Sequence, residues 1–140
     1  MITITIPGNP IAKKRPRFVR RGKFNMTYNA QETEEGLVIV QAMQQMNGVK
    51  PICGPVDVFI SFRIGRPRSH YGTGKNSNVV KQSAPEWPIK KPDIDNAVKF
   101  YLDCLNGIAW QDDAQVVGLR SIKSWGDPET VIMIKPVEPT

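Results

Sequence analysis

Cysteine and histidine are scarce in this chain: Cys53, Cys104 and His70 are the only ones among 140 residues. Two thiols so far apart cannot build a zinc module, and they read as buried free thiols rather than a disulfide. A lone histidine is more often a packing or surface residue than a catalyst. No apolar run approaches the roughly 18 residues that a membrane span requires, so no membrane partner is expected. The opening Met1-Ile2-Thr3-Ile4-Thr5-Ile6 lacks a charged start followed by a long apolar segment, which argues against a signal peptide and makes the cytoplasm the default location. Acidic residues are also missing where they would matter most. None precedes Glu32, although Lys13, Lys14, Arg15, Arg17, Arg20, Arg21 and Lys23 lie ahead of it. Glu86 alone falls among Arg63, Arg66, Arg68, Lys75, Lys81, Lys90 and Lys91. These two segments hold 14 of the 19 cations of a chain with net charge +6, and such a distribution points to a polyanionic partner.

The acids are concentrated elsewhere. Five of the 13 lie between Asp93 and Asp113. Two carboxylates about 5 Å apart repel by roughly 3 kcal/mol at an effective dielectric of about 20, whereas one helix-capping Asp contributes only about 1 kcal/mol. A divalent cation would justify the concentration, because Mg²⁺ takes hard oxygen ligands and combines carboxylates with water and phosphate oxygens. Taken singly, the same residues also fit an N-cap (Asp93), a first-turn acid (Asp95), its surface ion-pair partner (Lys99) and a turn (Asp112-Asp113).

Spacing supplies the local structure. Ile94, Val98, Tyr101, Leu102 and Leu105 recur at helical intervals, so a helix begins near Asp93 and Gly107 is placed to end it. Asp95, Lys99 and Asp103 form the opposite stripe at successive i+4 steps. Asp112-Asp113 follows just before a β-rich run, so the chain could return this pair beside the first.

At 140 residues and 40% hydrophobic content, one domain with a buried core is expected. Ile2, Ile4 and Ile6 alternate as a strand. The basic run from Lys13 to Lys23 has little periodicity and reads as a loop, with Phe18 and Phe24 available to stack on bases. Asn29 and Glu32 suggest a capping box for a helix carrying Val38, Ile39, Ala42, Met43 and Met46, the methionines as core filler. Val56 to Ile64 alternates cleanly as a second strand. Residues 67–88 form a long basic loop, read as flexible, with Trp87 pinning its end to the core. Gln115 to Ser124 and Thr130 to Lys135 read as strands joined in a hairpin. The expected class is α+β: one domain spanning 1–140, a mixed four-stranded sheet with helices packed on one face, in the order β-α-β-(long basic loop)-α-β-β.

The composite Lys91-Pro92-Asp93-Ile94-Asp95-Asn96, Lys99 and Trp110-Gln111-Asp112-Asp113-Ala114-Gln115-Val116-Val117 resembles the RusA family of Holliday-junction resolvases, and the likeness extends to Pro10–Pro16 and the terminal strands. The resemblance implies that Asp93, Asp95 and Asp113 bind Mg²⁺, or Mn²⁺ in its place, that Asp112 supports or shares the site, and that Lys99 is the active-site lysine. It also implies a homodimer acting on four-way junction DNA. Lys13, Lys14, Arg15, Arg17, Lys90, Lys91 and Asn96 are then expected to contact that DNA, through phosphates more than bases. Other readings of D-x-D fare worse. An aspartyl-phosphate phosphatase needs a buried apolar strand before the first Asp, where Pro88-Ile89-Lys90-Lys91-Pro92 stands. A calcium loop would need Gly and an acid where Val98 and Cys104 occur. The non-enzymatic rival is a branched-DNA-binding module whose acidic cluster is structural.

Overall fold

The computed structural model describes residues 1–14, 17–21, 24–28 and 31–139, the two short segments as backbone strands only. Six strands and two helices run in the order β1 (Ile2–Pro7), β2 (Arg17–Arg21), β3 (Phe24–Tyr28), α1 (Glu32–Met46), β4 (Val56–Ile64), α2 (Ile94–Cys104), β5 (Val116–Trp125) and β6 (Glu129–Pro136). The main sheet has the order β1-β6-β4-β5. It is mixed, since β4 pairs parallel with β5 and antiparallel with β6. This is the expected α+β architecture with its four-stranded sheet.

Period-two alternation explains β4. Val56, Val58, Ile60 and Phe62 are buried, while Asp57 and Arg63 point away. Ile4 and Ile6 of β1 and Ile132 and Ile134 of β6 extend that face, which meets Val38, Ala42 and Met46 of α1 and Ala97, Phe100, Tyr101 and Cys104 of α2. Trp110 is wholly buried in the same core, with its Nε1 donating to Asn106 Oδ1 at 2.8 Å. Among the described residues no helix is long and apolar enough to cross a membrane.

Several local expectations are corrected. β5 and β6 do not form a hairpin: β4 lies between them, and the connection passes over the end of β4, where Gly126 N–H donates to Ile64 C=O at 3.1 Å. Within the basic run read as a loop, Arg17–Arg21 is strand β2, paired antiparallel with β3. Asn29 of the suggested capping box lies outside the described residues; Gln31 occupies the N-cap of α1 and makes no side-chain cap bond. Its buried amide instead donates to Ala12 C=O at 2.7 Å and accepts from Lys14 N–H, which ties the basic segment to α1. Met43 is exposed, so only Met46 fills the core on that helix. Cys53 is exposed; Cys104 is buried, and burial pushes its thiol up to about 12.

Trp87 is half exposed and does not anchor the long loop. Trp125 does. Its Nε1 donates to Pro85 C=O at 3.0 Å, the Arg66 guanidinium lies 5.1 Å over its ring, and His70 meets it edge-on at 5.1 Å. Residues 67–88 also hold bonds of their own, including Lys81 N–H to His70 C=O at 2.8 Å and Gly72 N–H to Val79 C=O at 3.0 Å.

Candidate active site

The rotation of α2 about its own axis decides which side chains reach solvent together. Tyr101 is buried between Phe62 and Phe100, at ring distances of 5.7 and 5.0 Å, and its hydroxyl accepts from Ile11 N–H at 3.1 Å. With that face fixed, Asp95, Lys99 and Asp103 stand on the outward stripe, one turn apart. They line a cleft of about 510 Å³ together with Asp113, Val98, Leu102, Leu119 and Ser121. The Ser121 hydroxyl is buried there with no hydrogen-bond partner among the described residues.

Asp113 opens a single 3-10 turn, Asp113–Gln115, that feeds directly into β5. Asp112 caps the turn, its Oδ1 accepting from Ala114 N–H at 3.5 Å. Gln115 holds the whole corner. Its Oε1 accepts from Gln111 N–H and Asp112 N–H at 2.8 and 3.0 Å, while its Nε2 donates to Ile52 C=O and Gly54 C=O at 2.9 and 2.8 Å. Every hydrogen-bonding site of that amide is thereby used.

The Asp113 carboxyl is shifted upward, first by burial and then by hydrogen bonding to and repulsion from Asp112 and Asp103. Asp103 is held from behind: Lys13 Nζ lies 3.2 Å from its Oδ2 and 3.6 Å from Glu35 Oε1. Burial works to lower the Lys13 ammonium, but Asp103 and Glu35 outweigh it and hold it above its ordinary value.

A second cleft, of about 710 Å³, lies on the other side of the first turn of α2 and gathers Lys13, Lys14, Lys91, Asp93 and Asn96. Asp93 is the N-cap of α2 but makes no side-chain cap bond. The sequence-predicted residues therefore divide: Asp95, Lys99 and Asp113 share one cleft, with Asp112 beside Asp113, and Asp93 faces the other with Lys13, Lys14, Lys91 and Asn96. Lys90 lines a smaller cavity of about 290 Å³ beside Trp125 and His70. Arg15 lies outside the described residues, and only the backbone of Arg17 is described.

Among the described residues, no three His, Cys, Asp or Glu side chains converge as a ready metal cage. Mg²⁺ does not require one, because it commonly takes one or two carboxylates and completes its shell with water and substrate phosphate. A hard-oxygen pair that repels itself, beside an unpartnered hydroxyl in an open cleft, fits that ion. Asp103 was not foreseen as a cleft residue, although its i+4 spacing from Lys99 placed it on the stripe. Gln115 stood within the D-D-A-Q-V motif, but nothing local reveals that its partners lie some 60 residues earlier, at separations of 63 and 61.

Comparison with known proteins places these features in a family. The profile described as endodeoxyribonuclease RusA matches residues 7–135. The chain is also 31% identical over 138 residues to the uncharacterized protein YqaN of Bacillus subtilis (strain 168), covering 97% of this chain and 96% of that protein.

Proposed function

The chain belongs to the RusA endodeoxyribonuclease family, and from that premise we propose that it is a Mg²⁺-dependent, structure-selective endonuclease that resolves Holliday junctions in DNA recombination and repair. It works as a cytoplasmic homodimer, each subunit nicking one of two symmetric strands to leave 5′-phosphate and 3′-hydroxyl ends. The observation that carries the reading is the single cleft in which α2 presents Asp95, Lys99 and Asp103 to Asp113.

Asp95 and Asp113 are the ligands this cleft offers, with Asp112 supporting Asp113 and Asp93 approaching from the adjoining cleft. A bound Mg²⁺ supplies a water of lowered pKa and polarises the scissile phosphate. The remaining work falls to the protein. Lys99 offsets the charge that develops on the phosphoryl oxygens. Lys13 holds Asp103 against Asp113, so the carboxylates stay close despite their repulsion. Lys14, Lys91 and Asn96 line the adjoining basic cleft, where a junction arm can lie against the cutting site.

Cleavage of a four-way junction compared with linear duplex, with and without Mg²⁺, tests this reading. Asp95→Asn is expected to bind the junction normally and to lose cutting. The rival is a non-catalytic branched-DNA-binding module whose acidic cluster is structural; it predicts binding without cleavage in the wild-type protein. Undiminished cutting by Asp95→Asn would overturn the site.

A further inference from the structure

The chain from Pro88 to Pro92 delivers α2 and its acidic stripe, yet its backbone has little with which to hold itself. Both prolines lack an N–H. The anchor comes from β5. Lys123, half-buried near the C-terminal end of that strand and in register with Phe62 of β4, donates from Nζ to Lys90 C=O and to Pro92 C=O, each at 2.9 Å. The two carbonyls bracket Lys91, and the second belongs to the residue immediately before Asp93.

We propose that Lys123 is a positioning residue for the nuclease site. The proposal rests on the reading above and concerns how the site is assembled. β5 begins at the turn carrying Asp113, and seven residues on, Lys123 grips the segment that leads into Asp93, Asp95 and Lys99. One strand thus sets the two halves of the site against each other. A charged donor shared by two carbonyls is suited to this, since hydrogen bonds from ionised groups are about twice as strong as neutral ones. From its charge alone Lys123 would count as one more phosphate contact; its ammonium is instead directed inward at the backbone.

Three variants distinguish the roles. Lys123→Met and Lys123→Gln remove the ammonium, and Lys123→Arg keeps a donor able to reach both carbonyls. Single-turnover cleavage of a four-way junction in Mg²⁺ is expected to fall roughly 100-fold in the first two, the scale of loss for a displacement of about 1 Å, with partial recovery in Lys123→Arg. Junction affinity without Mg²⁺ and its salt slope are expected to stay at wild-type values. Amide hydrogen exchange is expected to quicken over residues 89–97 and to hold steady in β4, a readout that does not depend on nuclease activity. Wild-type cleavage by Lys123→Met, or unchanged exchange over 89–97, would overturn the proposal. So would a salt slope lowered by about one unit, which marks a lost phosphate contact. If the wild-type protein itself does not cut, the nuclease reading fails, while the exchange measurement still decides whether Lys123 holds the segment.

Discussion

Asp113 is a residue whose working position is at odds with its own comfort. Its carboxyl is shifted up from the ordinary 3.8 by burial and by the neighbouring Asp112 and Asp103. A group with a raised folded-state pKa contributes stability below its unfolded pKa and loses it as pH rises through the folded value. Without Mg²⁺, wild-type stability is therefore expected to decline as pH rises from about 4, and Asp113→Asn to show a flatter profile and a higher thermal midpoint at neutral pH. The same variant is expected to lose at least about 100-fold in cleavage, since removing even a group that merely orients a metal ligand costs roughly 10- to 100-fold. Thermal melts across pH, paired with cleavage assays, check both halves; a variant less stable than wild type at pH 7 would show that repulsion is not what burdens the site. Lys13 and Lys14 provide a second contrast. Adjacent in sequence, they look interchangeable, but the Lys13 ammonium is paired with Asp103 and Glu35, whereas that of Lys14 is largely exposed and lies 3.4 Å from Glu34. Lys14→Ala is expected to lower the salt slope of junction binding by about one unit, and Lys13→Ala to reduce cleavage more than binding. Filter-binding across salt concentrations and a cleavage time course separate the two. Charge pattern made both lysines visible; only the fold shows which one is paired with an acid of the cleft.

Among the elements, those whose hydrophobic period matches their burial were legible. β4 alternates cleanly because one face is core and the other solvent, and α2 shows its outward acidic stripe because its inner face is continuous apolar surface. The pairing of β5 was not legible. Most of its residues are half-buried on both faces, as suits an edge strand beside a helix and a long loop, so its pattern does not say which neighbour it takes. Its proximity in sequence to β6 favoured a hairpin, since sequential strands are adjacent roughly two-thirds of the time. The deciding contacts are nonlocal, from β5 to β4 and to the loop through Lys123 and Trp125. The turn at Asp112–Gln115 depends on the same kind of contact. Gln115→Ala removes four hydrogen bonds, each worth about 1 kcal/mol net, so roughly 2–4 kcal/mol of stability is expected to go, with cleavage falling further than the unfolded fraction explains. Urea unfolding and activity at a temperature where the variant remains folded test this; a loss below about 0.5 kcal/mol, the usual surface range, would mean the corner is held elsewhere.

At the scale of the whole molecule, one chain supplies one cleft that joins the stripe of α2 to Asp113, whereas a four-way junction needs two cuts related by symmetry. Nothing in a single sequence reveals how a second copy sits, because a two-fold interface need leave no periodic mark on either chain. The charge distribution is nevertheless suggestive. The net charge of +6 is carried mainly by two segments, and the cleft holding Lys13, Lys14 and Lys91 adjoins the acidic one across the first turn of α2. In the homodimer proposed above, each subunit would then grip its own arm and cut beside it. If so, cutting sites should act independently once both subunits are bound. Mixing excess Asp113→Asn protein with wild type should yield heterodimers with a single competent cleft. On a cruciform plasmid, such dimers are expected to produce nicked circles in place of the linear molecules that paired cuts release. The ratio of nicked to linear product should rise with the mixing ratio, because in a binomial mixture wild-type homodimers decline faster than heterodimers. Linear product falling only in proportion to total wild-type protein, with no nicked intermediate, would mean that the subunits do not exchange or that each acts alone; a size measurement on the mixed sample distinguishes those outcomes and decides whether resolution is shared between two copies.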